Sequence, residues 1–371
     1  MIVGVVGGGQ LARMMIPPAI NLGIDIRVMS ESANSSARLA TTLVADHTAL
    51  DDLIGFSETV DFLTFDHEHV PLTLVQNLED RGVKVGPNSS SLALVQNKIV
   101  MRQKLKELGI PQPRWCVVEN GAQADSAFEK LGGLPVVAKL PVGGYDGKGV
   151  RVIGSREELN DWLDLGPLLL EENVNFSREL SQLGAQSRSG EWKTWPPVET
   201  RQIEGVCSEV IAPAPEISES VSVEAEQIAY SIATSIRTVG VQCVELFELS
   251  NGNLLVNELA MRPHNSGHVF TELSVTSQFE QHLRAVTDMP LGSTRLLQDF
   301  GVMVNVFGGL DENLVRAALE LHPEAKIHSY SKAPRPGRKA GHVVVVSQDF
   351  RTANQIAIAA GKILSQHRYD E

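Results

Sequence analysis

The chain opens on a strand, a run of glycines, a helix and a second strand, and this order constrains its fold more than any other feature. Residues 2–6 (IVGVV) form a buried-strand run. Gly7, Gly8 and Gly9 follow, then QLARMMIPPAINLG, a helix closing at Gly23, and IDIRVM at 24–29, a second strand. That is a βαβ unit, and such units build a parallel sheet covered by helices. FLTF at 62–65 adds a strand ending at Asp66, so residues 1–95 read as a doubly wound α/β domain. Gly7-x-Gly9-x-x-Ala12 also matches a dinucleotide fingerprint, with Glu31 placed to hold a ribose. A lone motif of this kind equally marks a tight turn that binds another ligand or none.

The remaining length leaves room for one or two further domains in 371 residues. A net charge of −13 argues against a nucleic-acid binder or a membrane-surface protein. No uncharged apolar stretch reaches the roughly 18 residues of a membrane helix, and MIVGVVGGGQ lacks the basic start of a secretory signal. Cys116, Cys207 and Cys243 are widely spaced, which excludes a disulfide scaffold or zinc ribbon and suits a reducing cytoplasm. Further along, 96–109 reads as a helix, 168–176 as a strand, 222–239 as a helix ending at Gly240, and 352–364 as a final helix.

Four segments carry chemistry. VVAK (136–139) leads into Gly143-Gly144-Tyr145-Asp146-Gly147-Lys148-Gly149 and returns to strand at VRVI. A P-loop would continue into a helix. This pattern is a β-hairpin flap, whose backbone N–H groups, with Lys139 and Lys148, suit a polyphosphate. The alternative is a solvated surface hairpin.

VQCVELFELSNGNLLVNELAMR is a second hairpin, turning at Asn251-Gly252. A two-residue turn there pairs Ser250 with Asn253 and sets Glu245 directly opposite Glu258, with Cβ atoms about 4.5–5.5 Å apart. Cys243, Phe247, Leu249, Leu254, Val256 and Ala260 share that face in this register. Two carboxylates on an apolar face need a cation or a shared proton, and a hard divalent metal suits the oxygen set. Asn257 joins them if the strand bulges. The alternative is one solvated carboxylate and one paired with an arginine such as Arg262.

RPHNSGH (262–268) holds His264 and His268 four apart, but Pro263 and Gly267 break a zinc-binding helix. It reads as a loop of convergent donors, with Arg262 for an oxyanion and His264 for proton or orientation work. A basic loop with Lys332, Arg335, Arg338 and Lys339 is shaped by two prolines and Gly337, and suits a phosphate clamp.

Taken together, these motifs resemble the ATP-grasp superfamily, and within it the N5-carboxyaminoimidazole ribonucleotide synthase family. GGGQLARMM, FDHEHV, AKLPVGGYDGKG, EENVNFSREL, NELAMRPHNSGH, SQFEQHLRAV and RPGRKAGH carry the resemblance almost end to end. It implies an ATP-grasp fold of mixed α/β and α+β class. A Rossmann-like preATP-grasp domain would span 1–95, an ATP-grasp domain 96–290 with a β-rich lid at about 114–172, and a small C-terminal domain 291–371. It implies carboxylation of 5-aminoimidazole ribonucleotide, consuming ATP and bicarbonate, with magnesium (or manganese) as cofactor. It also implies a cytoplasmic homodimer with a functional link to the mutase that follows.

Residue by residue, the resemblance assigns ATP contacts to Lys98, Lys139, Gly144, Tyr145, Asp146, Gly147, Lys148, Gly149, Glu171, Glu172, Val174, Glu179, Gln202, Asn257 and Glu258. The 171–174 strand would offer its backbone to adenine, and Glu179 its carboxylate to the ribose. Glu245 and Glu258 match metal ligands. Glu68, Tyr145, Asp146, Arg262, His264, Asn265 and Ser266 match positions around the ribonucleotide, with Lys332 and Arg338 on its phosphate. Asp146, Arg262 and His264 are the catalytic candidates. Gln202 replaces a usual histidine, Asp66 a glutamate, Met261 a proline and Ala12 a glycine. The rivals are a formate-dependent glycinamide ribonucleotide transformylase, an NAD-dependent dehydrogenase and a nucleotide-sensing module without turnover.

Overall fold

The computed structural model describes residues 1–144, 149–203 and 205–365. The strands Ile2–Val6, Asp25–Ser30, Thr41–Val44 and Phe62–Phe65 form a parallel sheet, with Ile2–Val6 between the second and the last. Side chains alternate along a strand. Val3 and Val5 therefore face Leu11, Met15 and Ala19 of the Gln10–Asn21 helix, while Val6 faces Leu53, Phe56 and Leu78 on the other side. Phe279 and Leu283 from a much later helix complete the first cluster and tie this sheet to the rest of the molecule.

The expected helix at 96–109 is Lys98–Glu107, with a separate helix, Ser89–Gln96, before it. Asn97 separates them because its side chain caps the second, accepting from the N–H groups of Ile99 (2.9 Å) and Val100 (3.3 Å). A four-stranded sheet follows, ordered Trp115–Val118, Leu168–Glu172, Val136–Lys139, Val150–Ile153. The last two are antiparallel partners, with Lys139 opposite Val150, so the flap is a hairpin. The strand expected over 168–176 stops at Glu172.

The third sheet has nine strands and runs from Leu254–Ala260 through Gly240–Glu248, Arg178–Gln186, Val198–Ile203 and Val206–Ala212 to Phe300–Gly308, Arg335–Ser347 and Lys326–Ser329. Ile211 pairs with Val302, so one continuous sheet carries the tail. Arg335, Arg338 and Lys339 lie on its Arg335–Ser347 strand rather than in the expected loop.

The 222–239 helix is Glu219–Ile236, and Arg237, not Gly240, takes the left-handed position after it (φ 48°). Gly240 is needed for another reason: a Cβ there would stand 2.7 Å from the His282 ring. Among the described residues no helix is long and apolar enough to cross a membrane.

Candidate active site

The three sheets surround a cleft of about 690 Å³. Its floor is the second hairpin. Glu245 does stand opposite Glu258, but by a route the turn signal did not show. Leu249 closes the turn with Asn253 (2.9 Å) and Gly252 adopts φ 83°, so the turn holds three residues and the register beyond it is one residue out. Asn257 then forms a β-bulge opposite Glu245 and Leu246, which restores the register for the two glutamates. The bulge also corrects the expected face: Leu254 and Val256 pack with Val244 and Leu246 in the core on the other side.

Each glutamate meets a different donor. Glu258 pairs with the Lys98 ammonium, and Glu245 with His264 Nε2 at 3.1 Å. Burial alone raises the Glu245 carboxyl, but the His264 hydrogen bond, with Arg262 and Lys98 nearby, holds it below its ordinary value. Burial works against charge on His264, yet Cys243 and Glu245 raise the imidazole to about 10. His264 Nδ1 accepts the Ser266 N–H at 3.4 Å, so the ring proton on Nε2 faces Glu245. Arg262, the partner in the alternative reading of the pair, binds Glu68 at 3.2 Å, while Glu68 also accepts the Met261 N–H (2.6 Å).

Above the floor lies a closed ion network. Glu171 is 2% exposed and takes Arg102 Nε at 2.6 Å and Lys139 Nζ at 2.8 Å. Burial raises its carboxyl, but Lys139 and Arg102 outweigh that and keep it ionised. Lys139 also donates to Asn257 Oδ1 (3.1 Å), and Arg102 to the carbonyls of Val256 (2.7 Å) and Asn257 (2.8 Å). The Glu171 carboxylate is thus fully engaged, and its main chain lies between Trp115 and Val137 of the flanking strands. Glu172 is held by Arg114 at 2.7 Å. Val174 lines the cleft beside Phe176 and Phe247, whose rings stack 4.5 Å apart. Burial and then the charge of Glu245 raise Glu179 to about 7, opposed by a hydrogen bond from Gln202.

The RPHNSGH loop is a 3₁₀ turn over Asn265–Gly267. Ser266 is fully buried and bonds His264 Nδ1 (2.8 Å), so it orients that ring. Asn265 exchanges amide hydrogen bonds with Asn305 (3.0 and 2.7 Å). Lys332 donates to Gln10 (2.7 Å), which lines the cleft, as does Lys339. Arg338 donates to the Ala333 carbonyl (3.1 Å). Gly144 lines the cleft and Gly149 closes the hairpin at φ 75°. Tyr145, Asp146, Gly147 and Lys148 lie outside the described residues.

The opening glycines have a different role from the one their motif suggests. Asp66 accepts from the N–H groups of Gly9 (2.6 Å) and Ala12 (2.7 Å), so a carboxylate of the chain itself meets the start of the helix. A Cβ on Gly9 would collide with that carboxylate, and one on Gly8 with Ser30. Burial raises Asp66 to about 6. The ribose assigned to Glu31 fails for a similar reason, since Glu31 bonds His47 Nδ1 (2.7 Å) and lies 3.7 Å from His67 Nε2. These three groups fall within 4.8 Å of one another. They do not form a metal centre, because His67 Nδ1 accepts the His69 N–H (3.2 Å), which leaves the ring proton on Nε2, facing Glu31.

Sequence reasoning missed Arg102, Gln10, Asn305 and the Phe176–Phe247 stack. Arg102 had a signal: Lys98, Met101, Arg102 and Leu105 form one buried helix face that includes two cations. Gln10, at the start of the first helix, and Asn305, Phe176 and Phe247 are brought to the cleft only by the fold.

Comparison with known proteins adds an independent line. A family model for the ribonucleotide synthetase preATP-grasp domain matches residues 1–96, one for the ATP-grasp domain 103–279, and one for the phosphoribosylaminoimidazole carboxylase C-terminal domain 301–356. The chain is 44% identical to the N5-carboxyaminoimidazole ribonucleotide synthase of Mycobacterium leprae, over 99% of this chain and 88% of the relative. The Bacillus subtilis protein of the same name is 34% identical over 94% and 92%. A solved N5-carboxyaminoimidazole ribonucleotide synthetase from Thermus thermophilus superposes with a TM-score of 0.90, 32% identity and 98% of both chains covered. The Aspergillus clavatus synthase, solved with ADP and 5-aminoimidazole ribonucleotide, gives 0.88, 28% and again 98% of both chains.

Proposed function

The chain belongs to the N5-carboxyaminoimidazole ribonucleotide synthase family and carries out the ATP-dependent carboxylation of 5-aminoimidazole ribonucleotide in purine biosynthesis, and we propose that the cleft between its three sheets is where this happens. The observation that carries the reading is the pair Glu245 and Glu258, in register beneath the Val136–Ile153 hairpin. ATP lies between the two hairpins, with Lys139, Lys98 and the glycine turn toward the phosphates. Its base rests against the 171–174 main chain and the Phe176–Phe247 stack, and its ribose against Glu179 and Gln202.

The donor set fits a divalent ion, since two opposed carboxylates and an adjacent carboxamide line one cleft. Glu245 and Glu258, with Asn257 beside them, would hold magnesium, or manganese in its place. That ion supplies positive charge to the phosphate oxygens as charge shifts.

Bicarbonate is the carbon source. Its oxygen attacks the γ-phosphate, giving ADP and carboxyphosphate. The exocyclic amine of the ribonucleotide then bonds to the carbon, phosphate leaves, and the amine gives up a proton, for which Asp146 is the acceptor. Arg262, fixed by Glu68, binds the anionic carboxy group. His264 holds Glu245 in position through its Nε2. Lys332 and Arg338 bind the ribonucleotide phosphate, and Asn265 its ribosyl side. A cytoplasmic homodimer that passes its product to the mutase belongs to the same proposal.

ADP release is measured with bicarbonate, with and without 5-aminoimidazole ribonucleotide. Turnover that needs both supports the reading. Formate replacing bicarbonate as co-substrate would move the chain to the transformylase reaction.

A further inference from the structure

Two motif residues are not used by this scheme: His268 at the end of RPHNSGH and Gln278 in SQFEQHLRAV. Both are buried against the loop that carries His264. Gln278 is the first residue of the Gln278–Thr287 helix, and its side chain is fully buried. Its Oε1 accepts the His264 N–H at 2.8 Å. Its Nε2 donates to the His264 carbonyl at 2.7 Å and to His268 Nδ1 at 2.9 Å.

A carboxamide that meets both the N–H and the C=O of one residue acts like a neighbouring strand and fixes that residue's main chain at two points. The amide orientation follows from this contact, because the reversed amide would set N–H against N–H and C=O against C=O. Nε2 can only donate, so His268 Nδ1 is the acceptor and the His268 proton sits on Nε2. Burial pushes the His268 pKa well below its ordinary value, which agrees with a neutral ring. His268 is itself packed between His342 (4.7 Å) and Phe279 (5.5 Å). Gly267 is required here, since a Cβ at that position would collide with the Gln278 amide.

We propose that Gln278, oriented by His268, is a positioning residue that sets the backbone of His264 so its imidazole spans Ser266 and Glu245. The span is His264 Nδ1 to Ser266 Oγ at 2.8 Å and Nε2 to Glu245 at 3.1 Å. Neither Gln278 nor His268 performs the chemistry. A hydrophobic side chain at 278 would leave the His264 main chain free to rotate and move the imidazole off its target. This inference rests on the assignment of His264 to the reaction.

The test is a double-mutant cycle read by kcat, KM for ATP and melting temperature. Gln278→Met is expected to lower kcat by about 10- to 100-fold, the scale of a displacement near 1 Å, with the KM for ATP changed less than about twofold. Added to His264→Asn, it should lower kcat no further. His268→Phe, which removes the acceptor, should lower kcat, and His268→Asn, whose Oδ1 takes the place of Nδ1, should recover most of that loss. A merely structural role would lower the melting temperature and show equal, additive losses in both backgrounds, which overturns the proposal. His268→Asn as poor as His268→Phe also overturns it. If His264→Asn alone leaves kcat unchanged, the role of His264 falls and this inference with it, while ATP- and bicarbonate-dependent turnover still stands.

Discussion

The chain has two glycine-rich turns, each leaving a strand, and they treat anions in opposite ways. At Gly7–Gly9 the anion is built in: Asp66 accepts from Gly9 and Ala12, and the glycines exist so that Asp66 and Ser30 can come close. At Gly143–Gly149 the glycines serve backbone shape. Gly143 and Gly149 have φ of 84° and 75°, Gly144 lines the cleft, and below them Lys98 and Lys139 stand among carboxylates. A glycine run therefore announces a close approach or a left-handed backbone without saying what approaches. Only the spatial neighbour decides whether the site is already filled.

Substitutions under each turn should separate the two. The largest effect belongs to Glu258→Gln, which should lower ADP formation by about 1,000-fold in a steady-state assay. Near-normal turnover would mean that the nucleotide does not use the second turn.

Asp66 gives the next effect through pH. Its carboxyl is raised in the fold to about 6, against about 4 in the unfolded chain. The folded state thus holds the proton more tightly, so stability falls as pH rises from about 4 to about 6. The loss is about 3 kcal/mol, and Asp66→Asn should remove that slope from denaturant unfolding measured across this range. An unchanged slope would show that the first turn does not bury a charge.

Arg338→Ala should raise the KM for the ribonucleotide by about tenfold and leave that for ATP nearly alone, one charge-assisted hydrogen bond being worth about 1.5–3 kcal/mol. Equal effects would place the phosphate elsewhere. Gly143→Ala is the mildest change. Nothing crowds its Cβ, so only the left-handed backbone opposes it, by about 1–2 kcal/mol in thermal unfolding.

The hairpin shows how a site can be legible for an incomplete reason. The turn signal at Asn251-Gly252 located the hairpin and its facing glutamates, yet the turn holds one residue more than its type suggests. The bulge at Asn257 cancels the offset, which is why Glu245 and Glu258 still meet while Leu254 and Val256 change faces. Turn type is a local property, but a bulge depends on what its extra residue touches, here Lys139 and Arg102 from other parts of the chain. The basic tail differs in kind. Its cations were visible as residues, but their place on a strand follows from pairing with Phe300–Gly308.

By itself the sequence determined the elements with local causes: the first βαβ unit, the two hairpins, several helices, and the residue types able to meet phosphate. Periodicity, turn residues and charge act over a few positions, so they can be read in order along the chain. Tertiary structure alone decided that Asp66 fills the opening turn, that Arg102 and Lys139 share Glu171, and that Gln278 grips the loop before it. Those contacts join residues 14 to 69 positions apart, and a hydrogen bond or ion pair depends on distance in space, which burial of the three sheets against one another sets.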